Sequence, residues 1–93
     1  MPGRSPGYGL SVAAYLAWTS QPPVDLVGPW EEVREAAPGL LLIDSTASVS
    51  AVYHAVKWCL PDDAALLVTA VESTPKSRGL AAGSTTWLRN RTR

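Results

Sequence analysis

Between residues 40 and 71, two uncharged apolar runs bracket a stretch whose apolar residues recur at helical spacing, and nothing else in the chain limits its fold as strongly. Leu40-Leu41-Leu42-Ile43 is short and continuously apolar, as expected of a central strand covered on both faces. Asp44, Ser45, Thr46 and Ser48 then supply side chains suited to capping a helix. Val49, Val52, Tyr53, Val56 and Leu60 fall at i, i+3, i+4, i+7 and i+11, which predicts a helix over about 47–60 that Pro61 ends. Asp62-Asp63 makes the turn, and the apolar run from Ala65 to Val71 reads as the next strand.

The flanks are less sharply written. Residues 1–9 carry Pro2, Gly3, Pro6, Gly7 and Gly9 and read as a flexible leader, without the features of a signal peptide. Leu10, Val12, Ala14, Leu16 and Trp18 alternate, which favours a strand, although the alanine content also permits a helix. Gly28-Pro29 resembles a helix start, with Glu31 and Glu32 in its first turn and Pro38-Gly39 as its stop, so a helix of about two turns is expected over 29–37. Residues 73–83 form a loop. Residues 84–91 are either a terminal helix anchored by Trp87 and Leu88 or an edge strand.

The expected order is β-α-β-α-β with a short final element, an α+β class. A ferredoxin-like sandwich, one sheet with helices packed on one face, fits a chain of 93 residues. Residues 10–93 then form a single domain after the leader. Strands apolar on both sides need the other face of the sheet covered, and a second subunit would do so.

Charge and cysteine content narrow the function. Residues 1–72 hold three bases against eight acids, whereas 73–93 hold five bases and no acid, so a neutral chain conceals an acidic body and a basic C-terminal segment. One cysteine excludes an internal disulfide framework and a cysteine-rich zinc site. No apolar run reaches the roughly 20 residues of a membrane span, and a cytoplasmic protein is expected. His54 and Cys59, each the sole residue of its kind, lie about 140° apart around a helix and do not make a nucleophilic pair. Asp44 and Asp62-Asp63 sit at opposite ends of the same helix and share no metal. No catalytic, metal or cofactor site is expected.

Trp58 stands nearly opposite the apolar face of its helix, beside His54. Either a loop folds over it or a partner covers it. With Trp18 on the first strand, Trp58 and His54 are the candidate partner interface. Lys76, Arg78, Arg89 and Arg91, with Trp87 between them, are the candidate nucleic-acid surface, the cations tracking phosphates and the indole stacking on a base.

The string GLLLIDSTASVSAVYHAVKWCLPDDAALLVTAV, a loop, and then TTWLRNR resemble the ferredoxin-like superfamily of CRISPR-adaptation small subunits and related mRNA interferases, in its short branch, over residues 39–91. The resemblance implies that fold and a dimer. The family's nucleases carry a metal-binding Asp at the end of the first strand. Here that strand ends Ala17-Trp18-Thr19-Ser20, with the nearest carboxylate, Asp25, beyond Pro22-Pro23. The expectation is therefore a non-catalytic assembly module, a homodimer or a subunit of a larger complex, formed through the open sheet face. The alternative is a nucleic-acid binder, a degenerate nuclease relative, acting through the basic segment.

Overall fold

The computed structural model describes residues 12–92. The expected leader over 1–9 lies outside them, as do Arg4 and Arg93. Four strands, β1 (Ala13–Thr19), β2 (Glu32–Ala37), β3 (Leu40–Ser45) and β4 (Leu66–Val71), form one sheet in the order β2-β3-β1-β4. Every neighbouring pair is antiparallel. Helices α1 (Val49–Lys57) and α2 (Ser84–Arg89) complete the α+β architecture.

The central strand is where the sequence places it. β3 lies between β2 and β1, and Leu41 through Ser45 are all buried. Residues 13–19 form a strand rather than a helix. The helix after β3 begins at Ser48, whose hydroxyl accepts from the Ala51 amide at 3.1 Å. Ser45 donates to the Pro29 carbonyl, and Tyr15 donates to the Ala47 carbonyl at 2.7 Å, so the turn into α1 is held from two strands and a loop. Val52 and Val56, one turn apart, are fully buried against Tyr15, Ala17, Leu41 and Ile43.

The helix expected over 29–37 does not form: residues 32–37 are strand β2. A two-turn helix has little stability of its own. As a strand, the segment pairs along β3, with Val33 opposite Ile43 and Arg34 opposite Leu42. Pro38-Gly39, read as a helix stop, is the hairpin turn. Gly39 adopts φ +79°, and a Cβ there would lie 2.5 Å from the Thr19 carbonyl oxygen, so this turn requires glycine. The succession is therefore β-β-β-α-β-α instead of β-α-β-α-β.

The helices also lie on opposite faces of the sheet, not on one. α1 covers the face of Tyr15, Ala17, Leu41 and Ile43, while α2 sets Trp87 and Leu88 against Ala14, Leu42 and Ala36 on the other. Residues 84–91 are thus helical at their start, and they cover part of the face expected to be open. The reason is apolar burial: Trp87 and Leu88 are the only large apolar pair in the segment, and the row containing Ala14 and Leu42 needs cover. The Ala81 amide donates to the Ala36 carbonyl at 2.7 Å and ties the preceding loop to β2.

Candidate interaction surface

Trp58 follows α1 directly. Two residues beyond buried Val56, it is turned by about 200° to the far side of the helix. It is 86% exposed. Among the described residues nothing folds over it. Two shallow hollows flank the indole. One lies between Tyr53 and Lys57 on α1 and Ala64 and Leu66 at the start of β4. The other is bounded by Val24, Asp25, Cys59 and Pro61, where the Val24 amide donates to the Cys59 carbonyl at 2.8 Å. His54 is exposed one turn before Trp58 and meets Tyr53 edge to face, ring centroids 5.3 Å apart.

Trp18 belongs to the other side of the sheet. It lies across from Leu40 on β3 and Leu67 on β4, beyond the reach of α2, and remains 44% exposed with Leu67 at 55%. The fold does not bring the three expected interface residues together. Trp58 and His54 stand on one side, Trp18 on the other, and β4 runs between them.

β4 is the feature that residue-by-residue reading missed. It is an edge strand, and Leu66 to Val71 carries no charge and no proline. Such an edge offers unpaired amides and carbonyls to any incoming strand. The opposite edge is guarded. β2 carries Glu32, Arg34 and Glu35, contains an irregularity between Glu35 and Ala37, and receives the loop at Ala36. Arg34 also donates to the Ala82 carbonyl at 2.9 Å. The signal for the contrast is present in the sequence as an uncharged seven-residue run, but only the strand order shows that this run lies at an edge.

The expected nucleic-acid residues divide in two. Trp87 is 5% exposed in the core beneath α2, so its ring cannot stack on a base. The Arg91 guanidinium lies 4.0 Å from the centre of that ring, donates to Asp44 Oδ2 at 2.8 Å and pairs with Glu32 at 3.3 Å. These two residues are structural: Arg91 neutralises an Asp44 that the sheet buries. Lys76, Arg78 and Arg89 remain exposed. Thr74 pairs with Thr92 at 2.7 Å and Ser77 with Thr85 at 3.2 Å, so the loop runs back along α2.

Among the described residues, no group of three or more His, Cys, Asp or Glu is placed to hold a metal ion, and no helix is long and apolar enough to cross a membrane. No protein-family model matches the chain, and no curated protein or solved structure matches it.

Proposed function

We propose that this protein is a non-catalytic assembly module that binds another protein through the surface joining Trp58, the β4 edge and the Trp18–Leu67 patch. The observation that carries the reading is Trp58. A tryptophan left 86% exposed at a helix end, between two hollows, is the kind of side chain that supplies the centre of an interface. Its burial by a partner would remove roughly 200 Å² of mostly apolar surface from water. The apolar residues around it add area, and Lys57 and Asp62 beside the first hollow add polar selectivity at the rim.

The test is the solution mass of the full chain by light scattering at low salt, for the wild type and Trp58→Ala, with and without a mixed pool of short RNA and DNA. Association that weakens in Trp58→Ala and ignores the nucleic acid supports the assembly module. Association unchanged by the substitution removes Trp58 from the interface and the reading with it.

A second reading has its own observation. Lys76, Arg78 and Arg89 are all exposed, and residues 73–92 contain no acid. Cations of this kind suit a phosphate backbone. Three phosphate contacts would give a log–log salt slope of about −2 to −3. A mass that rises with the nucleic-acid pool and falls back as salt increases would favour it.

A further inference from the structure

Resting on the assembly reading, we infer that the partner is a second copy of this chain, with β4 pairing antiparallel to β4 about a two-fold axis at Val68, so that two sheets become one continuous sheet.

The backbone decides which groups are on offer. The Ser20 amide donates to the Ala65 carbonyl at 3.0 Å, and the β1–β4 register places Leu66 opposite Thr19 and Val71 opposite Ala14. Bonded and non-bonded pairs alternate along an antiparallel ladder. Leu67, Thr69 and Val71 therefore spend their amides and carbonyls on β1, while Leu66, Val68 and Ala70 direct theirs outward.

A two-fold axis at Val68 sets Leu66 opposite Ala70 of the second copy, Val68 opposite its equivalent, and Leu67 opposite Thr69. All three outward-directed residues then find partners, about six backbone hydrogen bonds in all. No charge lies within the paired strands. The acids just beyond fix the register. Sliding the pair one way sets Glu72 opposite Leu66, and sliding it the other way sets Asp63 opposite Val71. Either slip brings a carboxylate against a residue of the paired strand, whereas in the Val68 register Glu72 lies across from Ala64, beyond it.

Both faces of the seam have cover ready. On the α1 side, Leu66 and the exposed Trp58 line one hollow beside the seam. On the other side, each exposed Leu67 meets Thr69 of the second copy, with Trp18 of its own chain beside it. A six-residue strand spans about 20 Å. With one indole from each copy, the contact buries on the order of 600–800 Å² per chain, at the lower end of the standard range. β2, the other edge, is guarded by its charges and its loop, so among the described residues one edge is free. The assembly closes at two copies and does not extend into fibres.

The test combines mass and amide exchange on the full chain over a concentration series. The expected result is a monomer–dimer equilibrium in the micromolar range. The amides of Leu66, Val68 and Ala70 should become protected as concentration rises, whereas those of Leu67 and Thr69 are protected throughout. Ala70→Pro removes an outward amide without touching the β1 ladder and should weaken the dimer at least tenfold. Leu67→Lys, on the exposed face, should do the same and serves if the proline variant does not fold. A dimer in which the three amides stay open, with both variants dimerising like the wild type, overturns the edge pairing and leaves the assembly reading standing. A chain that stays monomeric at several hundred micromolar overturns the second copy as partner. In neither case is the Trp58→Ala comparison needed to interpret the outcome.

Discussion

An indole that its own helix holds in water loses few contacts when cut back to alanine. Trp58→Ala should therefore change the unfolding free energy by no more than about 0.5 kcal/mol, while weakening association by about 2 kcal/mol. Urea titration and light scattering on the same samples separate the two effects. Arg91 and Arg89 behave as opposites although they lie two residues apart. Arg91 pairs with buried Asp44 and covers Trp87, so Arg91→Gln should lower stability by about 2 kcal/mol in a denaturant titration. Arg89 is exposed and has no such partners among the described residues, so Arg89→Gln should stay within about 0.5 kcal/mol. Equal effects of the two substitutions would show that the Arg91–Asp44 pair contributes nothing. Sequence alone ranks these arginines together, because a basic segment read linearly contains no acids, and the acids that claim Arg91 arrive from β2 and β3.

At the scale of elements, the β2–β3 hairpin is the part of the fold that depends most on a single residue. Gly39→Ala combines a left-handed backbone with a contact of 2.5 Å to the Thr19 carbonyl oxygen, a rigid backbone group. The expected loss is about 2 kcal/mol or more, measured as a fall in the midpoint of urea unfolding. Neutral behaviour of this variant would mean that the turn adapts and that pairing along β3 alone holds β2. The hairpin also shows where local signals mislead. Gly28-Pro29, two glutamates and Pro38-Gly39 satisfy the rules for a short helix, and each is equally compatible with a strand entered from a loop and left by a turn. The choice is made by β3, whose outer edge would otherwise be left unpaired. α1 needed no such arbitration. Its cap is a serine and its apolar spacing marks buried Val52 and Val56, although Val49 and Tyr53 of the same spacing are exposed and the helix ends at Lys57, short of the expected 60.

For the whole molecule, association and stability are linked. A partner that binds only the folded chain raises its apparent stability by an amount that grows with concentration. The wild type should therefore melt at a higher temperature as its own concentration increases through the dimerisation range, and Ala70→Pro should melt at a temperature independent of concentration. A wild-type melting temperature flat across that range would argue against self-assembly. Raising salt should leave the uncharged β4 seam intact, whereas a complex held by Lys76, Arg78 and Arg89 would dissociate.

Local spacing was enough to place the strands beginning at Leu40 and near Ala65, the main helix, the α+β class and the isolation of Trp58 from the apolar face of α1, while 10–18 stayed open between strand and helix. All of these follow from the spacing of apolar residues along one element, a local property of the chain. Packing made 13–19 and 32–37 strands, sent the helices to opposite faces, buried Trp87 with Arg91 against it and put β4 at an edge. Each of these depends on which segments meet, across a hairpin turn for 32–37 and across tens of residues for the others. An uncharged strand reads the same at the centre of a sheet and at its rim, and only the strand order β2-β3-β1-β4 tells whether its outward amides already have partners.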